Sequence, residues 1–339
     1  MSQRRYVVIG AGAVGGVVAA QLSLHGHSVV LVARGEHGTR IAQDGLVIRR
    51  PGGVVDVVEL AVAAGPDQVR LGEGDILVLA VKTQDAEAAI AQWAWQPVYD
   101  ASGNETGAAA DLPILTLQNG RATEDIALRR FSRVYGVTVG IAASFLSPGQ
   151  IISPSVAPVG VFWIGRYSGG RAEQGDLQEQ IVADFTGADL HAFSVTDIEA
   201  VKAAKLLGNI QHNGVDLLEG SAEEKATART LLRDEAVGVF AAAGVTLPPG
   251  GELDHGGVKL SIEPVEGYDR GGSSTWQSVA RGVPHEIDFL HGEIVFLARK
   301  YGVRAPYSER LQQLLNARHL AGHRSVTALL NAVGDESAS

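Results

Sequence analysis

Apolar residues come in two rhythms along this chain, and the rhythm changes near residue 196. In the first part, short runs rich in Val, Ile and Leu recur at Tyr6–Ile9, Ser28–Ala33, Gly45–Arg49, Val54–Ala61, Asp75–Val81, Pro113–Gln118, Arg133–Val137 and Val159–Ile164. Several runs are continuous rather than alternating, as expected for strands buried on both faces of a parallel sheet. Helical spacing fills 15–25, 36–43, 84–92, 122–131 and 173–187 between them. Trp95–Leu112, rich in Gly, Ala, Ser, Asn and Asp, reads as a surface insertion. Beyond residue 196 the strand pattern nearly vanishes. Ile198–Gly214, Ala222–Ala243, Thr275–Arg281, Glu286–Tyr301 and Tyr307–His319 read as helices, interrupted by a glycine- and proline-rich loop over Leu247–Gly272. The expected fold is therefore α/β: a Rossmann-type dinucleotide-binding domain over 1–196, followed by a mostly α-helical domain over 197–333.

The first strand run leads into Gly10-Ala11-Gly12-Ala13-Val14-Gly15-Gly16 and then a helical stretch and a second strand. A G-x-G-x-x-G in that strand–turn–helix setting is a dinucleotide fingerprint. Gly10 allows the tight turn, Gly12 admits a pyrophosphate close to the backbone, and Gly15 lets helix and strand approach. The helix start offers free N–H groups and a positive dipole end to phosphate. The other reading, a glycine turn without a ligand, explains less of the context. Arg34 ends the second strand, where an NAD site would carry an acid, so a 2′-phosphate and hence NADP is favoured. In the alternative, Arg34 is solvated and Glu36 takes the acid's place.

Composition narrows the function classes. The chain has 339 residues, 45% hydrophobic and 19% charged, which suits two packed domains rather than a disordered segment. A net charge of −10 speaks against nucleic acid or an anionic membrane as partner. The chain has no cysteine, so disulfides, thiolate nucleophiles and cysteine metal sites are excluded, and no metal site is expected. Arg4-Arg5 with the apolar run behind it mimics a signal peptide, but the glycine fingerprint accounts for that run better. A cytoplasmic protein is expected.

Polar residues at strand ends and on the later helices are the candidates for chemistry. Lys82 follows the run 75–81 and Asn119 follows 113–118, both at carboxyl ends where a parallel sheet exposes its ligand crevice. Each could instead be ordinary: a lysine opening a helix, an Asn-Gly turn. Lys205, Asn209 and Asn213 are spaced i, i+4, i+8, so they share one helix face, which is either a site or a solvated stripe. Ser273-Ser274 caps a helix start, and Glu286 and Asp288 sit near another, where acids also complement the dipole.

In this order, the glycine fingerprint, Arg34, Val81-Lys82-Thr83-Gln84, Leu117-Gln118-Asn119-Gly120, Lys205 with Asn209 and Asn213, Ser273-Ser274 and Glu286-Ile287-Asp288 resemble the ketopantoate reductase (2-dehydropantoate 2-reductase) family over nearly the whole chain. The resemblance implies NADPH-dependent reduction of a 2-keto acid, ketopantoate first, to a 2-hydroxy acid in pantothenate biosynthesis. It implies that Lys205 polarises the ketone and donates the proton, and that Glu286 works beside it. Gly10, Ala11, Gly12, Ala13, Val14, Gly15, Arg34, Lys82 and Asn119 would contact the cofactor. Asn119, Asn209, Asn213 and Ser274 would bind substrate, and a homodimer is implied. The chain departs from the family pattern by lacking a Trp shortly before Lys205, and by carrying Thr275 and Ser278 where Met and Asp are usual. A different keto substrate, or a non-catalytic NADPH-binding sensor, are the competing readings.

Overall fold

A computed structural model describes residues 4–167 and 176–331. The chain divides into two compact units. The first comprises the chain up to Gln118, Thr123–Glu199 and Asp254–Asp269; the second comprises Asn119–Ala122, Ala200–Leu253 and the chain from Arg270 onward.

The strands of the first unit are β1 (Arg5–Ile9), β2 (Ser28–Val32), β3 (Leu46–Arg49), β4 (Val55–Val58), β5 (Ala61–Ala63), β6 (Leu71–Gly72), β7 (Asp75–Leu79), β8 (Pro97–Tyr99), β9 (Glu105–Ala108), β10 (Pro113–Thr116), β11 (Arg133–Ile141), β12 (Ser144–Ser147), β13 (Gln150–Ile152), β14 (Gly160–Arg166) and β15 (Leu190–Ser194). Eight of them form one sheet in the order β15-β14-β11-β10-β7-β1-β2-β5, parallel except where β14 runs against β11. The continuous apolar runs behave as their composition requires: Tyr6–Ile9, Ile76–Leu79 and Ile114–Leu115 are all buried. From β1 the chain winds to β2 and β5 on one side, then returns to β7, β10 and β11 on the other, so the switch point of the sheet lies between β1 and β7.

Helices α1 (Ala13–Leu24), α2 (Gly35–Asp44), α3 (Thr83–Trp93), α4 (Ala122–Leu128) and α5 (Leu177–Gly187) connect these strands. α1 is apolar on all sides and buries Gly15 to Leu22, because it lies between the large sheet and a second, four-stranded sheet of order β12-β13-β3-β4. The single run Val54–Ala61 therefore resolves into two strands: β4 edges the small sheet and β5 edges the large one. The expected insertion holds structure of its own, β8 and β9, which pair with each other and join β6 in a three-stranded sheet. The helix expected over 173–187 begins at Leu177; its first residues fall outside the described ones.

The second unit is helical: α6 (Ile198–His212), α7 (Ala222–Ala242), α8 (Ser274–Ala280), α9 (Ile287–Tyr301), α10 (Pro306–Asn316) and α11 (Val326–Leu330). α6 itself starts two residues inside the first unit. One core joins Leu206, Ile210, Phe240, Leu290 and Ile294; a second joins Val215, Leu232, Leu311, Leu315 and Val326. The expected loop 247–272 has no regular helix or strand beyond one 3₁₀ turn. Among the described residues, no helix is long and apolar enough to cross a membrane.

Candidate active site

In the first unit, the β1–α1 turn and the carboxyl ends of β2 and β7 enclose a groove of about 450 Å³. The turn is built on close approach. A Cβ on Gly15 would lie 2.0 Å from the Gly10 carbonyl oxygen and 2.8 Å from Ala80 Cβ, so only glycine lets α1 start against the ends of β1 and β7. Gly12 is the N-cap of α1 and no side chain caps it, while a Cβ built there would meet nothing within 4 Å. The helix start is thus an open cradle of N–H groups facing a groove, and the residues present suit a pyrophosphate.

Gly10, Ala11, Gly12 and Arg34 line this groove. The Arg34 side chain is exposed and enters no hydrogen bond or ion pair among the described residues. Glu36 is not a lining residue; it points to Arg40, 3.9 Å away. Ala13, Val14 and Gly15 form the first turn of α1 behind the cradle, and Lys82 is the N-cap residue of α3 at the end of β7. Sequence reasoning missed His37 and Phe145 in the groove wall. His37 lies three residues after Arg34, one helical turn on; Phe145 comes from β12, a strand too short to read from the sequence.

In the second unit, the expected substrate residues meet in one hydrogen-bonded chain. Asn209 Nδ2 donates to Asn119 Oδ1 at 3.2 Å. Asn213 Nδ2 donates to the Asn209 carbonyl at 3.0 Å, and Asn213 Oδ1 accepts from Ser274 Oγ at 3.0 Å. The same Oδ1 accepts from Thr275 N at 3.3 Å and Thr275 Oγ1 at 3.0 Å. Lys205 and Asn209 lie one turn apart on α6, and Asn213 directly follows the helix, its N–H donating to the Asn209 carbonyl at 2.8 Å. Gly120, with φ of 83°, allows the turn after Asn119 to approach α9: a Cβ there would lie 2.6 Å from the Phe289 carbonyl oxygen.

Three supports were not legible. Asp216 accepts from Ser273 N at 2.7 Å and so holds the start of α8. His291 is fully buried and its Nε2–H donates to the Asn213 carbonyl at 3.0 Å; burial pushes its basicity down to about 4, so it stays neutral. Thr275, the departure from the family pattern, is what completes the hydrogen bonding of Asn213. Glu286 is half-buried at the N-cap of α9.

Lys205 stands apart from this chain of hydrogen bonds. It is partly buried on α6, and burial pushes its ammonium below the usual lysine range. No hydrogen bond or ion pair engages that ammonium among the described residues. A desolvated ammonium without a carboxylate partner is a stronger acid than a surface lysine.

The glycine cradle is that of a dinucleotide-binding fold, and the class it belongs to here is that of dinucleotide-dependent oxidoreductases acting on a C=O/CH–OH pair. The model for ketopantoate reductase PanE/ApbA matches residues 6–169, and that for its C-terminal region matches 197–319; the chain belongs to this family. A 2-dehydropantoate 2-reductase from Pyrococcus horikoshii is 25% identical over 316 residues, covering 93% of this chain and 97% of that protein. Another from Mesorhizobium japonicum is 28% identical over 328 residues, with 87% and 91% covered. Among solved structures, a PanE/ApbA family ketopantoate reductase from Ralstonia eutropha JMP134 superposes with a TM-score of 0.73 at 24% identity, covering 95% of this chain and 99% of the other. D-mandelate dehydrogenase, solved with NADH and anilino(oxo)acetate, has the same fold: TM-score 0.72, 20% identity, 97% and 100% covered.

Proposed function

We propose that this protein reduces a 2-keto acid, ketopantoate first, to the 2-hydroxy acid with NADPH, and that Lys205 supplies the proton. The observation that carries this reading is the Asn209–Asn119 hydrogen bond, because it ties a carboxamide to the same helix face that bears the desolvated Lys205. When bound, the reduced nicotinamide supplies a hydride to the carbonyl carbon. The chain's own residues do the rest. Gly10 to Gly15 and the first turn of α1 hold the pyrophosphate, Lys82 adds a positive charge, and Arg34 takes the 2′-phosphate.

As the carbonyl oxygen gains negative charge, Lys205 Nζ donates a hydrogen bond and then its proton, leaving a neutral amine. Glu286 accepts a hydrogen bond from substrate and orients it beside that amine. Ser274 spends its own proton on Asn213, so its oxygen is left as an acceptor for a substrate hydroxyl. Asn119 and Asn209 fix the carbonyl end with donor and acceptor from one carboxamide pair. A second reading, reduction of a different 2-keto acid, is supported by buried Thr275 and Ser278 in place of the family's usual Met and Asp.

The test is the loss of reduced-nicotinamide absorbance with ketopantoate beside a panel of other 2-keto acids. A specificity constant of about 10⁴ M⁻¹s⁻¹ or more for ketopantoate alone supports the first reading. Turnover only with another acid supports the second. Tight NADPH binding with no turnover across the panel would refute both and leave a sensor.

A further inference from the structure

His37 occupies a place that neither the fingerprint nor the sheet explains. It sits in the first turn of α2, half-buried, on the wall of the groove. Its Nε2 lies 2.7 Å from the carbonyl oxygen of Ala11, inside the glycine turn. Its Nδ1 lies 2.8 Å from the backbone N of Gly149, in the turn between β12 and β13. A carbonyl only accepts and an amide N–H only donates. The ring is therefore the neutral tautomer with its proton on Nε2, donating to Ala11 and accepting from Gly149. The same ring rests on Phe145 of β12, with centroids 5.0 Å apart, and Phe145 also lines the groove.

One imidazole thus fastens the phosphate turn to a hairpin more than 100 residues away in sequence. Both attachments use backbone groups, so the ring itself bridges the two segments. We propose that His37 is a positioning residue for the dinucleotide: its neutral ring holds the glycine turn and the Phe145 hairpin in the spacing that closes the groove around the cofactor. This rests on the dinucleotide reading of the groove and deepens it.

Protonation is incompatible with this arrangement. A second N–H on Nδ1 would face the Gly149 N–H, donor against donor, and release the hairpin. Burial already disfavours that charge and holds the ring below the usual histidine range. The glycine turn, the first turn of α1 and residues 144–152 carry no titratable side chain. The charged residues nearest in sequence are Arg34, Glu36 and Arg40, Glu36 being directed to Arg40, and Arg34 and Asp85 line the same groove.

The experiment compares dissociation constants of NADPH and NADH, by fluorescence titration from about pH 8 down to about pH 5, for the wild type, His37→Gln and His37→Leu. A glutamine carboxamide offers one donor and one acceptor and cannot gain a proton; leucine offers neither. We expect His37→Leu to weaken both dinucleotides about tenfold at pH 8, with His37→Gln within about threefold of the wild type. Toward pH 5 the wild type should lose affinity relative to His37→Gln, and this ratio cancels the titration of the cofactor's own 2′-phosphate. Without cofactor, the Gly149 amide should exchange with solvent faster in His37→Leu than in His37→Gln. Equal affinities for the wild type and His37→Leu, or parallel pH profiles for the wild type and His37→Gln, would overturn the proposal. If His37→Leu fails to fold, the His37→Gln profile decides alone. A wild type that binds neither dinucleotide would refute the reading of the groove itself, and this inference with it.

Discussion

Replacing Lys205 by methionine should separate turnover from folding. The side chains are similar in length, so the α6 face keeps its shape while the ammonium is lost. Burial holds the Lys205 proton more weakly than in an ordinary lysine of pKa 10.5. The folded chain then binds that proton less tightly than the unfolded chain does. Stability therefore rises as pH climbs from the depressed value toward 10.5, and below that window the charge opposes folding. Because no carboxylate or acceptor engages the ammonium among the described residues, its removal leaves no buried partner unsatisfied. The denaturation midpoint at neutral pH should stay level or rise.

Turnover should fall by about 10² to 10⁴, the usual contribution of a positioned general acid. In the wild type, kcat should decline as pH rises through the depressed lysine value, since the protonated form is the donor, and this limb should be missing in the variant. Single-turnover decay of reduced-nicotinamide absorbance and urea denaturation measure the two effects separately. A kcat within tenfold of the wild type would remove Lys205 from proton transfer. A clearly lowered midpoint would show that the ammonium is held favourably and refute the desolvation argument.

Arg34→Ala should weaken NADPH about tenfold or more while changing NADH less than about twofold; equal losses in calorimetric titrations would assign the ribose end to other groups. Gly15→Ala should cost about 2 kcal/mol or more of stability in chemical denaturation, because its Cβ would enter the Gly10 carbonyl oxygen at 2.0 Å. Asn213→Ala would leave Ser274 Oγ, Thr275 Oγ1 and Thr275 N without their shared acceptor. It should lower stability by about 1–3 kcal/mol and raise KM more than it lowers kcat, and a variant with unchanged KM would exclude Asn213 from ordering the substrate residues.

What the sequence revealed, it revealed through local patterns. The parallel strands β1, β7 and β10 are unbroken apolar runs, and the glycine turn with Arg34 lies within one βαβ unit, so both could be read from short windows. The run Val54–Ala61 hid a change of sheet, because apolar residues face inward equally well in either one. The β8–β9 hairpin went unread because its Gly, Ser and Asn residues resemble a loop. The helix face of Lys205 and Asn209, with Asn213 directly after the helix, was visible from periodicity. Its supports were not: Thr275 and His291 reach Asn213 across 62 and 78 residues, and no periodicity encodes such a distance.

Residues 254–269 carry one more consequence, for how the chain is made. They lie far beyond β15 in sequence yet belong to the unit built by the N-terminal sheets. Ser155 pairs with Ile262, the Asp254 carbonyl accepts from the Trp163 indole at 2.8 Å, and a Cβ on Gly256 would lie only 2.8 Å from the Phe193 ring. A chain growing from a ribosome therefore has to expose the whole of α6 and α7 before this unit receives its last piece. A genetic cut near residue 197 would not yield an intact first half, and a fragment meant to fold by itself needs 254–269 supplied in the same polypeptide or as a separate peptide.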